Sequence, residues 1–213
     1  MLQGTEEMLS GMVQELFGAT TLERHGATLD FKRPFARKDY YGFVRETAGI
    51  DLTSTTDAEL REALKRREVA DIDRLTRAKL IDEVFKTYAE PTLVQPTFVL
   101  DYPIALSPLA KVKRGDPNKV ERWELFIQKR EIANAFSELN DPEEQKVRFN
   151  QQARFRDAGD DEAQVPDEDF IRALEYGMPP TGGVGLGVDR LQMILADQSH
   201  IRDVILFPML RPE

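Results

Sequence analysis

The sequence contains no cysteine, and this absence excludes disulfide bonds, zinc–thiolate centres and thiol nucleophiles. Histidine is almost as scarce, because His25 and His200 are the only two and neither belongs to a readable Ser/His/Asp arrangement. The chain also has no long apolar run and no basic-then-apolar leader, so we expect a soluble, cytoplasmic protein with no membrane partner.

An excess of positive charge is missing as well. The chain has 29 lysine and arginine residues against 38 acidic ones, for a formal net charge of −9. This balance disfavours sequence-independent binding to nucleic acid, which needs a basic face. Two short basic clusters, residues 65–67 and 111–114, are typical of solvated surface. The 213 residues suffice for one large domain or two small ones, with a core that needs no covalent staples.

Helical patterns occur in the first, middle and last parts of the chain. They rest on apolar residues at helical spacing, on N-terminal capping pairs and on glycine or proline stop signals. The predicted helices cover residues 5–17 up to Gly18, a segment capped by Thr56 and Glu59, residues 72–90 up to Pro91, a segment from the Asp141/Pro142/Glu144 start to just before Gly159, residues 167–176 up to Gly177, and the end of 181–196.

Strand patterns alternate with these helices. Residues 20–31 are predicted to form a hairpin that turns at His25 and Gly26, and residues 96–103 a strand bounded by prolines. Residues 121–138 are predicted to form two strands joined by a turn at 128–130, and 181–196 a glycine-rich strand that leads into a helix. Strands joined by tight turns pair antiparallel, so we predict an α+β fold with a mostly antiparallel sheet flanked by helices.

Two acidic residues occupy matching positions on the predicted 121–138 hairpin. A turn near Gln128 would place Glu124 and Glu131 roughly opposite each other, where like charges repel. A cation between them would relieve this repulsion, and carboxylate oxygens favour Mg²⁺ or Mn²⁺. The alternative is that both acids face solvent on an exposed side of the sheet.

A second polar pair, Asn134 and Glu138, lies among small and apolar residues. On one strand, residues four apart share a face, and a carboxylate with an amide in such a pocket suits an ammonium group. The alternative is hydrogen bonding to nearby backbone ahead of the helix that starts at Asp141.

The glycines at 182–187 are weak evidence for a nucleotide site when taken alone. They lack the Gly-Lys-Ser/Thr ending of a phosphate-binding P-loop and the spacing of a dinucleotide-binding βαβ unit. Close backbone packing is an equally good explanation. Arg190, one turn into the following helix, favours function, because a guanidinium there could reach a phosphate or a flat ring above the glycines.

Several long segments resemble the catalytic domain of class II lysyl-tRNA synthetases. They are "EIANAFSELND", "TGGVGLGVDRLQMILAD", "IRDVILFP", "LVQPTFVLDYPIALSPLAK" and "DAGDDEAQVPDEDFIRALEYGMPPT", so the resemblance extends over essentially the whole chain. Elongation factor P lysyltransferases share the architecture, but "FSELND" is closer to the synthetases. Aspartyl and asparaginyl relatives share the glycine–Asp–Arg ending but lack the Asn-x-x-x-Glu pair.

The resemblance implies a role for each candidate residue. Glu124 and Glu131 would hold Mg²⁺ on the phosphates of ATP. Asn134 and Glu138 would line a lysine pocket, with Glu138 facing the ammonium. Arg190, the catalytic residue, would pack on the adenine and reach the phosphates. Gly185 and Gly187 would form the floor, Gly185 on the lysine side and Gly187 on the ATP side. The implied reaction activates lysine to lysyl-adenylate and transfers it to tRNA(Lys).

The sequence also departs from the family pattern. It begins where the second signature motif would have ended, and we find neither the first motif, with its dimer interface, nor the anticodon-binding domain. We therefore expect residues 1–213 to be an incomplete catalytic domain, with a helical insertion at about 51–90 outside the chemistry. The expected enzyme is a lysine–tRNA ligase with little activity alone, homodimeric when complete, or complemented by a separate N-terminal half. The alternatives are a non-catalytic lysine- or ATP-binding paralogue and a truncated interaction domain.

Overall fold

A computed structural model describes residues 1–157 and 165–208. Within these residues the α-helices are α1 (Leu2–Phe17), α2 (Tyr40–Ala48), α3 (Asp57–Lys65), α4 (Arg77–Val84), α5 (Pro142–Asp157), α6 (Glu168–Glu175) and α7 (Val188–Leu195). The strands are β1 (Thr21–Arg24), β2 (Ala27–Asp30), β3 (Ala36–Asp39), β4 (Thr97–Leu100), β5 (Val112–Lys113), β6 (Asp116–Val120), β7 (Arg122–Ile127), β8 (Arg130–Ser137) and β9 (Gly182–Leu186).

The central sheet has five strands in the order β3-β4-β7-β8-β9. Strands β3 and β4 are parallel, and the other three pairings are antiparallel. The β1-β2 and β5-β6 hairpins are separate two-stranded sheets. The prediction of an α+β fold with a mostly antiparallel sheet is therefore confirmed.

Each face of the central sheet covers its own hydrophobic core. Side chains alternate between the faces along a strand, so β7 sends Leu125 to one core and Phe126 to the other. The core on the Leu125 face also contains residues of α1, the β1-β2 hairpin and α7. The core on the Phe126 face contains residues of α2, α3 and α4. We call the face that carries Glu124 and Phe126 the site face.

A one-residue bulge in the β7-β8 pairing contradicts the expected register. Glu124 lies opposite Asn134, whereas Glu131 lies opposite Phe126, so the two acids are not opposite each other. Between these pairs β8 contains the extra residue Ile132, which packs into the core on the far face. Without the bulge, Glu131 and Asn134 would point to opposite faces, because they are three residues apart. The bulge therefore brings Glu131 to the site face.

The local stop and turn signals are confirmed. α1 ends at Gly18, which is left-handed with φ 73°, and the β1-β2 hairpin turns at His25 and Gly26, both with positive φ. The capping box at the start of α3 forms in both directions, because the Thr56 side chain accepts from the Glu59 amide while the Glu59 carboxylate accepts from the Thr56 amide.

The single helix expected over residues 72–90 is wrong. A 3₁₀ turn at Ile72–Arg74 is followed by an extended Thr76, whose side chain caps α4 by accepting from the Lys79 amide. The helix then continues as a π turn at Phe85–Ala89 and a 3₁₀ turn at Glu90–Thr92. A threonine hydroxyl can accept a hydrogen bond from a nearby backbone amide in place of a backbone carbonyl. Threonine is therefore favoured at the start of a helix over its interior.

Other expectations differ only in detail. The predicted 96–103 strand is shorter, because Asp101 adopts a positive φ of 63° just after β4. At the start of α5 the Asp141 carboxylate accepts from the Glu143 and Glu144 amides, but the Glu144 side chain pairs with Arg148 instead of closing a capping box. The expected stop before Gly159 lies outside the described residues. In the part of the chain that the structure covers, every helix is too short or too polar to cross a membrane.

Candidate active site

A cavity of about 610 Å³ opens over the site face of the sheet. Strands β7 and β8 contribute Glu124 and Glu131, and α7 contributes Arg190. Three of the predicted site residues therefore line one cavity. The two acids lie on different strands, and Arg190 follows them in the sequence by 66 and 59 positions. Asn134, Glu138, Gly185 and Gly187 are not among its lining residues.

Arg190 and Glu131 line this cavity and contact each other. The Arg190 Nη1 group donates to the Glu131 carbonyl oxygen at 2.9 Å and to its carboxylate Oε2 at 3.4 Å. Both side chains are about half exposed, at 52% for Arg190 and 40% for Glu131. An ion pair this exposed is weak, so its opening to admit another anion costs little.

Arg122 makes hydrogen bonds to four other residues at the site. Its Nη1 donates to the Leu106 carbonyl oxygen and to Ser107 Oγ, each at 2.9 Å. Its Nη2 pairs with Glu124 Oε1, and its Nε donates to Asn134 Oδ1 at 3.1 Å. The guanidinium thus joins the carboxylate of β7, the amide of β8 and the loop after β4 in one network.

Glu124 is a buried carboxylate held by two donors. Besides Arg122, the Tyr102 hydroxyl donates to Glu124 Oε2 at 2.6 Å, and the Tyr102 ring lies 4.7 Å below the Arg122 guanidinium. Burial raises the pKa of Glu124, whereas Arg122 and the Tyr102 hydrogen bond act in the opposite direction. Burial also raises the pKa of Tyr102 well above its usual value, so its hydroxyl remains a donor.

The donor set can be tested against a magnesium ion. No group of three or more histidine or acidic side chains suited to hold a metal occurs in the described segments. Glu124 and Glu131 nevertheless supply two carboxylates to one cavity, and Mg²⁺ is often bound by only one or two carboxylates together with substrate phosphates. The site therefore fits a magnesium ion that arrives with a nucleotide, and not a free ion held by protein alone.

Asn134 has a fixed side-chain orientation. Its Oδ1 accepts from Arg122, so its NH₂ group points away from the guanidinium. The amide therefore offers hydrogen-bond donors to a ligand, which suits an oxygen atom of an anion better than an ammonium. The expectation that Asn134 and Glu138 line one lysine pocket stays a prediction.

Glu138 lies just beyond β8 and is partly buried. Its backbone amide donates to the Thr181 carbonyl oxygen at 3.0 Å, and its carboxylate lies over the Cα of Gly183. Burial raises the pKa of Glu138 above its ordinary value of 4.5. Within the described residues no side chain forms an ion pair with this carboxylate, and burial accounts for the shift of its pKa.

The two predicted floor glycines have different surroundings. Gly185 lies opposite Asn134 on the site face, and a Cβ there would only touch the Asn134 carbonyl oxygen at 3.8 Å. Gly187 precedes α7 and donates its amide to the carbonyl of the bulged Ile132 at 2.8 Å. A Cβ at Gly187 would lie 3.4 Å from that oxygen, which is an ordinary van der Waals contact.

The helical segment at 51–90, which we expect to lie outside the chemistry, contributes to the lining of the cavity. Helix α4 and the turns after it form one wall of the cavity, with Lys79, Asp82, Lys86 and Glu90 among the lining residues. Burial raises the pKa of Glu90, and the nearby Glu131 acts in the same direction. The wall thus contributes both signs of charge opposite the sheet.

Arg122 and Tyr102 were missed by the sequence reasoning. A signal for Arg122 was available, because it lies two residues before Glu124 on the same predicted strand and must share its face. Nothing comparable identifies Tyr102, whose approach to Glu124 depends on the loop after β4.

Comparisons with known proteins agree along the whole chain. Residues 1–211 match the family model for tRNA synthetases class II (D, K and N). A lysine–tRNA ligase of Fervidobacterium nodosum is 47% identical over 213 residues, one of Thermosipho africanus 48% over 212, and one of Aquifex aeolicus 49% over 215. Each alignment covers 100% of this chain but only 42%, 42% and 36% of the relative.

Proposed function

The chain belongs to the class II tRNA synthetases of the D, K and N type, and on that premise we propose that it contributes the nucleotide- and lysine-binding surface of a lysine–tRNA ligase. In the proposed reaction the lysine carboxylate attacks the α-phosphate of ATP and pyrophosphate leaves. The lysyl group then passes from the adenylate to tRNA(Lys). No protein nucleophile is required, so the residues act by positioning and by balancing charge.

The observation that carries the proposal is the Glu138 carboxylate beside the site face, which is partly buried and has no ion-pair partner among the described residues. Of the three amino acids in the family description, only lysine has a side-chain ammonium, and a partly buried carboxylate is its natural partner. A substrate without the ammonium would leave this carboxylate desolvated and unpaired, which is a strong basis for discrimination.

The remaining groups are suited to the nucleotide and the reacting atoms. Glu124 and Glu131 would hold Mg²⁺, which neutralises phosphate charge when it is bound. Arg190 would exchange its weak contact with Glu131 for a phosphate oxygen or the face of the adenine. The NH₂ group of Asn134, oriented by Arg122, would donate to an oxygen of the bound substrate.

Isothermal titration of the purified chain with lysine tests the proposal, in the presence of magnesium and a non-hydrolysable ATP analogue. We expect lysine to bind more tightly than norleucine, which lacks the side-chain ammonium, and lysine binding to weaken to the level of norleucine in Glu138→Ala. Glu143→Ala is the matched control, because this exposed acid on α5 should have no effect. Equal binding of lysine and norleucine by a folded chain would overturn the proposal.

A further inference from the structure

One glycine of β9 lies directly under the carboxylate of Glu138. Gly183 pairs with Phe136, and Phe136 pairs with Arg122, so Gly183 belongs to the site face. A methyl group at the Cβ position of Gly183 would lie 2.1 Å from Glu138 Oε1, far inside van der Waals contact. Any side chain at this position would therefore compete with the carboxylate for the same space.

The main chain around Glu138 leaves little room for an adjustment. The Glu138 amide donates to the Thr181 carbonyl oxygen at 3.0 Å, and the following Leu139 amide donates to the Leu109 carbonyl oxygen at 2.9 Å. The backbone is thus tied to neighbouring segments on both sides, including a β-bridge to Ala110. A clash at Gly183 would therefore be relieved by moving the carboxylate, which is the end of a flexible side chain, and not the strand.

The other glycines of β9 do not have this relation to an acidic group. A Cβ at Gly185 would make only an ordinary contact of 3.8 Å with a backbone oxygen. A Cβ at Gly182 would meet the flexible end of the Met1 side chain at 2.5 Å, which can move at little cost. None of the three glycines has a positive φ, so alanine fits their backbone conformations. An alanine substitution at any of them therefore changes only the space that the new methyl group fills.

We infer that Gly183 is a specificity-determining residue that acts through Glu138: the missing side chain keeps open the place from which the carboxylate meets a cationic substrate group. This inference rests on the proposed function, because it takes the lysine ammonium as the ligand of Glu138. Gly183 itself touches no charged atom of the substrate in this scheme, so it is a positioning residue.

The test compares Gly183→Ala, Glu138→Ala and the double variant by titration with lysine in the presence of magnesium and the ATP analogue. Gly183→Ala should weaken lysine binding by about tenfold or more, as expected for loss of a charge-assisted hydrogen bond, and leave binding of the ATP analogue unchanged. In the Glu138→Ala background the same glycine substitution should have no further effect. Gly182→Ala is the matched control and should bind lysine like the wild type.

Each result bears on the inference. If the wild type distinguishes lysine from norleucine but Gly183→Ala binds lysine normally, the inference is wrong and the proposed function stands. Equal losses in both backgrounds would also overturn it, since Gly183 would then act independently of Glu138. If the wild type shows no preference for lysine, both the function and the inference fail. If Gly183→Ala does not fold, the double variant decides: rescue of folding by Glu138→Ala supports the clash, and failure of rescue refutes it.

Discussion

Replacement of Arg122 by alanine should destabilise the protein strongly, because it leaves a buried carboxylate without its cation. The side chains of Arg122 and Glu124 are only 17% and 11% exposed, and their charges pair directly. Removal of one partner of a buried ion pair typically costs about 3–5 kcal/mol. The Leu106 carbonyl and the Ser107 hydroxyl lose their donor in the same step.

Thermal and urea unfolding monitored by circular dichroism provide the measurement. For a chain of this length, a loss of about 3–5 kcal/mol corresponds to a Tm lower by roughly 6–20 °C. Arg122→Lys should give an intermediate loss, because one ammonium cannot replace a guanidinium that contacts four groups. Arg66→Ala is the control, because its ion pair with Glu62 is exposed and should be worth less than about 1 kcal/mol.

A double-mutant cycle separates the orphaned charge from the lost packing. Glu124→Gln removes the charge with little change of shape, so Arg122→Ala should cost about 1–3 kcal/mol less in that background than in the wild type. The reasoning would be refuted by a cost of Arg122→Ala below about 1 kcal/mol, or by the same cost in both backgrounds.

Two further results are expected. Because burial raises the pKa of Glu138, its carboxylate takes up a proton at a higher pH than usual. Lysine affinity measured by titration should therefore fall as the pH is lowered, with a midpoint above 4.5 that is absent in Glu138→Ala. A midpoint at or below 4.5 would contradict this expectation. Arg148→Ala should lower the free energy of unfolding by about 2–4 kcal/mol and speed amide hydrogen exchange within residues 107–110. The reason is that the buried guanidinium donates to the Ser107 and Ala110 carbonyl oxygens at 3.1 and 2.6 Å. An unchanged urea midpoint would count against this prediction.

Local signals in the sequence were sufficient for most of the fold. Gly18 and Gly177 end helices with positive φ, and Thr56 with Glu59 starts one, because these effects depend on residues three or four positions apart. The long helix over 72–90 failed for the opposite reason. Its apolar spacing continues through Thr76, but Thr76 is extended and its side chain caps a new helix by accepting from the Lys79 amide.

Three residues of the candidate site that the sequence suggested lie together in the structure, but their geometry was not predicted. Glu124, Glu131 and Arg190 do gather around one cavity, as their residue types suggested. Their register could not be read from the hairpin, because a bulge changes the pairing without altering the length of the turn. The hydrogen bond from the Gly187 amide to the Ile132 carbonyl, made by a segment more than fifty residues away, accompanies that bulge.

The bulge also explains how β8, whose side chains alternate between the two faces, can bury apolar residues on one face and place Glu131 on the other. On the C-terminal side of the bulge, β8 places Asn134 and Phe136 on the site face and Ala133 and Ala135 in the far core. A regular strand would have continued this alternation and turned Glu131 into the apolar core, where an unpaired carboxylate is very costly. Because Ile132 takes up the extra position, the core receives an isoleucine and the cavity receives the acid. A single inserted residue therefore satisfies hydrophobic packing on one face and charge placement on the other.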